Sequence, residues 1–180
     1  MTDEKEFIRL LQSPKTRDNA FKKLITLYKE RLYWHIRKIV ISHDDADDVL
    51  QNTFIKVYRS IHNFKGDSKL FSWLYRIATN EAITQINKNA KRLQTTNESV
   101  QQTAINNLAS DIYFDGNAIQ LKLQQAIAQL PEKQKLVFNM KYFDDLKYKE
   151  ISEILETSEG ALKASYHLAV KKIQAYLTSD

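Results

Sequence analysis

A chain of 180 residues with 43% apolar side chains can bury a real core and is long enough for two small domains. With three glycines, two prolines and no cysteine, turns are scarce, and disulfides, thiolate metal sites and a cysteine nucleophile are excluded, which fits a reducing compartment. The net charge of +5 suits a polyanionic partner; no apolar signal core follows Met1 and no run of eighteen apolar residues exists, so a cytoplasmic protein is expected.

No long stretch alternates apolar and polar residues, so an all-α fold is expected. From Asp18 onward, Phe21, Leu24, Tyr28, Leu32, Ile36 and Ile39 recur three or four apart and predict a long helix facing a core. Ser42 is a candidate N-cap for a second helix, because Asp44, Asp45, Asp47 and Asp48 crowd its start, where the helix dipole favours negative charge. Its core stripe reads Ala46, Val49 or Leu50, Thr53, Val57 and Ile61. A break over 63–68 contains Gly66, and Leu70, Trp73, Leu74, Ile77 and Ala78 open a third helix running to about Arg92. The first block is placed at residues 1–93.

Residues 94–117 turn to Gln, Thr, Asn and Ser with few anchoring apolar side chains, a composition that repays the ordering of a backbone poorly, so a flexible linker is expected there. Helical pattern resumes in a second block, 118–180, with Ile119, Leu123, Ile127 and Leu130. Pro131 sits where a further helix can begin. Val137, Met140 and Tyr142 fall on one helix, Tyr148, Ile151, Ile154 and Leu155 on a short one, and Leu162, Tyr166, Ala169 and Ile173 form the buried stripe of a last one. That rhythm is a helix-turn-helix. The opposite face of the last helix carries Gly160, Ala161, Lys163, Ala164, His167 and Lys171, slim and basic enough to enter a major groove. A three-helix packing unit with a merely solvated basic face gives the same periodicity. Glu159 either accepts from a cytosine amino group or stabilises the helix start.

Taken together, residues 130–134 (Leu-Pro-Glu-Lys-Gln), 148–155 (Tyr-Lys-Glu-Ile-Ser-Glu-Ile-Leu) and 158–163 (Ser-Glu-Gly-Ala-Leu-Lys) resemble the C-terminal domain of extracytoplasmic-function (ECF) sigma factors of bacterial RNA polymerase. Residues 45–54 (Asp-Ala-Asp-Asp-Val-Leu-Gln-Asn-Thr-Phe) resemble that family's polymerase-binding helix, and 73–80 (Trp-Leu-Tyr-Arg-Ile-Ala-Thr-Asn) its promoter-melting helix. The resemblance spans about Phe21 to Ile173 in family order. It implies a non-enzymatic promoter-specificity subunit whose partners are core RNA polymerase, promoter DNA and an anti-sigma factor, with no cofactor, no metal and no membrane insertion.

Residue by residue, the resemblance implies polymerase contacts at Asp45, Asp47, Asp48, Gln51, Asn52 and Phe54, with Asn52 standing where the family usually has Glu. Minus-ten recognition and melting fall to Phe64, Lys65 and Ser68 in the loop and to Trp73, Arg76, Asn80, Lys88 and Arg92 on the helix. The residue types suit that task, since unstacked bases need an aromatic platform and cations hold the displaced strand. Trp73 beside Leu74 and Ile77 reads equally as core. Minus-thirty-five recognition falls to Ser158, Gly160, Ala161, Lys163, Ala164, His167 and Lys171. Ser165, Leu168 and Val170 replace common arginines, so fewer phosphates are neutralised, and Glu156 stands in the turn where the family often has Gly.

Two other functions compete. A stand-alone helix-turn-helix regulator would need no platform for unpaired bases, and the 64–92 segment provides one. An enzyme finds no support, because His35, His43, His62 and His167 lack metal-ligand spacing and neither a phosphate-binding glycine loop nor a serine nucleophile motif appears.

Overall fold

The computed structural model describes residues 3–111 and 116–178; the remainder of the expected linker, 112–115, and the extreme termini lie outside the described residues. Among the described residues the secondary structure is helical throughout, in the order α1 (Glu4–Gln12), α2 (Arg17–Val40), α3 (His43–Ser60), α4 (Leu70–Arg92), α5 (Asn97–Asn106), α6 (Ala118–Ala128), α7 (Glu132–Tyr142), α8 (Tyr148–Leu155) and α9 (Glu159–Thr178).

Helices α2, α3 and α4 form the first bundle, each burying the stripe its spacing dictates. Leu24, Leu32, Ile36 and Ile39 of α2 meet Ala46, Val49, Leu50, Thr53 and Val57 of α3, so Val49 and Leu50 are both inside. Gly66, at φ +79°, makes the turn into α4. The start of α4 lacks a side-chain cap of its own, and Glu4 supplies one, its Oε1 accepting from the Leu70 amide at 3.2 Å. That contact comes from α1, a helix the sequence reading did not anticipate. Asp3 caps it, Phe7 and Leu11 bury one turn apart, and Gln12 Nε2 donates to the carbonyls of Ile61 and Phe64.

The polar bridge is more ordered than its composition predicts. Thr96 caps α5, its side chain accepting from the Ser99 amide at 3.2 Å, and Ile105 and Leu108 close with Ile41 on a small separate core. Gln101 is buried here: its amide donates to the Ile39 carbonyl and its oxygen accepts from Lys135 Nζ of α7. Burial pushes the Lys135 ammonium down to about 8, against the opposing pull of Glu132 and Glu98. The anchors are thus polar groups whose partners lie tens of residues away.

In the second block Asn117 and Gln120 form a capping box at α6, and Pro131 precedes α7 as expected. Leu162, Ala169 and Ile173 of α9 are buried with Tyr166 packed beside them. Two of the large side chains that mark these helices in the sequence lie outside the core: Ile119, in the first turn of α6, is exposed, and Tyr142 stays on the surface with its ring stacked on Phe138 at 5.1 Å. The helix-turn-helix is α8 and α9, and Glu156 in its turn adopts the left-handed conformation at φ 51°, ψ 43°. The two blocks share one continuous apolar cluster: Leu136, Val137, Met140, Ile151, Ile154 and Leu162 join the residues of α2 and α4.

Candidate nucleic-acid interface and docking groove

Helix α3 is started by Ser42, whose hydroxyl accepts from the Asp45 amide at 3.4 Å, and by Asp44 and Asp45 in the first turn. Asp47, Asp48, Gln51 and Asn52 are all exposed on one side of it. Asp45 departs from the expected surface role. Its carboxylate accepts from Gln85 Nε2 at 2.8 Å and from Asn89 Nδ2 at 3.0 Å, which ties the start of α3 to α4. Phe54 departs as well, only 9% exposed and edge-on to Phe21 at 6.2 Å.

Phe54 is nevertheless the floor of something. With Phe21 and Ile25 it lines an open, largely apolar groove of about 590 Å³, rimmed by Gln51, Ile55, Tyr58 and Arg59. Ile55 is 49% exposed and Tyr58 is held edge-on to Phe21 at 5.0 Å, with its hydroxyl donating to Asp18 at 2.7 Å. The sequence reading missed Ile55 and Tyr58, although a signal existed: they are the large apolar residues of this helix that fall off its buried stripe.

The downstream DNA candidates divide. Lys65, Asn80, Lys88 and Arg92 are exposed and Ser68 is half-buried. Phe64 is buried, so the expected stacking role finds no free ring; its backbone carbonyl is held by Gln12, and its ring packs against Trp73 at 5.0 Å. Trp73 is half-buried against the core, consistent with a residue that packs along one edge and leaves another free.

Arg76 is engaged rather than free: one terminal nitrogen donates to Glu156 Oε1 at 3.1 Å and the other to the Glu153 carbonyl, both in the helix-turn-helix. Its Nε is buried with no partner. Beside it Ser72 Oγ donates to Glu153 Oε2 at 2.6 Å, and Lys69 Nζ lies 3.3 Å from Glu150 Oε1. Burial pushes the Glu150 carboxyl up, but the Lys147 amide and the Lys69 ammonium together hold it below the ordinary carboxylate range. Nothing in local spacing could reveal these contacts, since the partners are about eighty residues apart.

A second tie between the blocks is buried. His35, 1% exposed, donates from Nδ1 to Asp144 Oδ2 at 2.8 Å, and its Nε2 meets Thr79 Oγ1 at 2.8 Å. Lys38 Nζ donates to the other Asp144 oxygen at 2.6 Å. Burial raises the Asp144 carboxyl, yet His35 and Lys38 outweigh it and leave the group below its ordinary value.

The upstream candidates lie open. Ser158, Gly160, Ala161, Lys163, Ala164, His167 and Lys171 are all exposed along one side of α9 and its approach, and Lys163 Nζ sits 5.6 Å from the Tyr148 ring centroid. Glu159 stands in the first turn of α9, where its charge favours the helix end. No helix among the described residues is long and apolar enough to cross a membrane.

An all-helical chain that ends in a helix-turn-helix with a slim, free, basic face is a DNA-binding protein of that class. The family model for Sigma-70 region 2 matches residues 24–92, and that for Sigma-70 region 4 matches 120–173. The chain is 33% identical over 168 residues to the ECF RNA polymerase sigma factor SigW of Bacillus subtilis, covering 88% of this chain and 89% of that one. It is 30% identical over 166 residues to the RNA polymerase sigma-H factor of Pseudomonas aeruginosa, covering 88% and 86%. Among solved structures, CnrH in complex with the cytosolic domain of CnrY aligns with a TM-score of 0.70 at 20% identity over 99% of this chain and 98% of that one. The sigma factor RpoE in complex with the anti-sigma factor NepR from Bartonella quintana aligns with a TM-score of 0.66 at 19% identity, over 89% and 98%. The chain belongs to the ECF sigma factors, the small promoter-specificity subunits of bacterial RNA polymerase.

Proposed function

We propose that the three surfaces divide the work of transcription initiation along the chain, with residues 1–93 and 118–180 as the two working domains and 94–117 as the segment that spaces them. The exposed side of α3, with Asp47, Asp48, Gln51 and Asn52 beside the groove floored by Phe54, holds core polymerase. Asp45 positions that helix from behind. The loop residues Lys65 and Ser68 and the α4 residues Trp73, Arg76, Asn80, Lys88 and Arg92 take the opened minus-ten strand. Phe64 supports Trp73 from beneath. Ser158, Gly160, Ala161, Lys163, Ala164, His167 and Lys171 read the minus-thirty-five duplex. The protein works in the cytoplasm, catalyses nothing itself, and is held in check by an anti-sigma factor; the similar RpoE of Bartonella quintana is found in complex with one, NepR.

The observation that carries this reading is the acidic rim of α3 set against an open apolar groove, a combination that a duplex-only regulator has no use for. Purified protein added to sigma-free core polymerase should give specific run-off transcripts. Asp48→Lys combined with Gln51→Ala should abolish association with core in a pull-down while leaving the melting temperature within a few degrees; retained association would remove α3 from the docking role.

A further inference from the structure

We propose that α1 is a brace for the loop that takes the minus-ten strand, with Gln12 and Glu4 as positioning residues that fix the separation of the two ends of that loop. The proposal rests on the reading of residues 64–68 as part of the minus-ten surface. Gln12 Nε2 donates to the Phe64 carbonyl at 2.7 Å, where the loop leaves the short 3-10 turn Ile61–Asn63, and to the Ile61 carbonyl at 3.2 Å. At the far end Glu4 Oε1 accepts from the Leu70 amide at 3.2 Å, where the loop enters α4. One helix therefore grips both ends. The rise from Glu4 to Gln12 along its axis is about 12 Å, a distance that a helix holds far more rigidly than a loop does.

The loop has no means of setting this span by itself. Among the described residues no amide of 65–69 donates to a backbone carbonyl, and Lys65, Gly66, Asp67 and Lys69 are all exposed. Gly66, at φ +79°, has open space around it. A binding group has to be held within about 0.5 Å of its working position, so the precision must come from the ends. The Phe64 ring packs on Trp73 from the core side, which anchors the side chain and leaves its carbonyl to Gln12. Helix α1 is itself fastened independently. Nine residues are too few for a helix to persist alone, and this one is held by the buried Phe7 and Leu11 and by Thr16 and Arg17, whose side chains donate to the carbonyls of Leu10, Leu11 and Gln12. None of these bonds uses the Gln12 or Glu4 side chain, so both are left to act on the loop.

The test is transcription by the full chain with sigma-free core polymerase on a template library randomised at both promoter elements, with the transcribed templates sequenced. Gln12→Met keeps the length of the side chain and removes its donor. It should lower the preference for the best minus-ten base over the next by about fivefold, with the minus-thirty-five preference and core association unchanged. Gln12→Lys, which restores a donor, should return that preference to within about twofold of wild type. Ile36→Val trims a fully buried side chain of α2, outside α1 and the loop, and controls for lost stability; both preferences should stay at the wild-type level. Wild-type minus-ten preference in Gln12→Met overturns the brace, and so does flattening of the same size in Ile36→Val. Should Gln12→Met fold poorly, Glu4→Ala, at an exposed side chain, carries the test: it should flatten the preference at the same positions by about twofold, and an unchanged preference overturns the proposal. Lys65→Ala combined with Ser68→Ala is measured in parallel. A minus-ten preference that survives this pair sinks the assignment of the loop, whereas a preference lost in the pair and kept in Gln12→Met sinks the brace alone.

Discussion

The two surfaces proposed to meet DNA differ in how far their side chains are already engaged within the molecule. On α4, Arg76 and Ser72 are occupied by carboxylates and carbonyls of α8; on α9, Lys163, His167 and Lys171 face outward with no acidic helix across them. The difference follows from position in the helix-turn-helix. The last helix must expose its outer side to enter a groove, while the preceding helix is free to present acids on the side that faces the first block.

The shared core is where that comparison breaks most severely. Ile151 is completely buried in the cluster that joins α8 to α2 and α4, so Ile151→Ala should cost about 3 kcal/mol in urea unfolding. Both blocks should unfold at a lower urea concentration, whereas a loss confined to the second block, with the first unfolding at an unchanged urea concentration, would show that the cluster is not energetically continuous. Removing the buried tie comes next. Asp144→Asn leaves His35 and Lys38 facing a neutral amide and should cost about 2 kcal/mol at neutral pH, less than full removal of a buried ion-pair partner because Lys38 is partly solvated. Asp144 is held below its ordinary value, so its contribution is present above the unfolded-state carboxylate pKa and lost as pH falls through the folded one. Melting temperatures followed from neutral into acid should drop more steeply for wild type than for Asp144→Asn; parallel curves would remove this carboxylate from the linkage.

Much of this was legible in the chain, and what was not has a common cause. Periodicity alone placed the stripes of α2, α3 and α9, because an amphipathic helix writes its buried face into local spacing. Ser42 announced its own cap. The α5 segment defeated composition because Gln101 and Lys135 anchor it with polar bonds to each other and to the Ile39 carbonyl. Arg76 was marked as a cation of the expected melting helix, yet its occupation by Glu153 and Glu156 was invisible, as were the inward turn of Asp45 toward Gln85 and Asn89 and the burial of Phe64 under Trp73. In each case the deciding partner lies on another element, and a residue's type fixes what it can bind without fixing which way it faces.

On the open surface the effects should be smaller and simpler. Lys163→Ala removes one cation from the α9 face, so binding of a duplex should weaken about fivefold at moderate salt and the slope of log affinity against log salt should fall by about one. Association with core polymerase should be unchanged; an equal loss of both would remove Lys163 from the duplex-reading role.

The smallest effect sits at the hinge between the two surfaces. Glu156 occupies left-handed backbone between α8 and α9, where glycine pays no steric penalty. Glu156→Gly trades away an exposed ion pair with Arg76, worth well under about 1 kcal/mol, for relief of about the same size. Thermal stability should therefore change by no more than a few degrees, with Arg76 still held by the Glu153 carbonyl. A clear fall in melting temperature would show that the ion pair outweighs the relief of the backbone at this turn, and a clear rise the reverse.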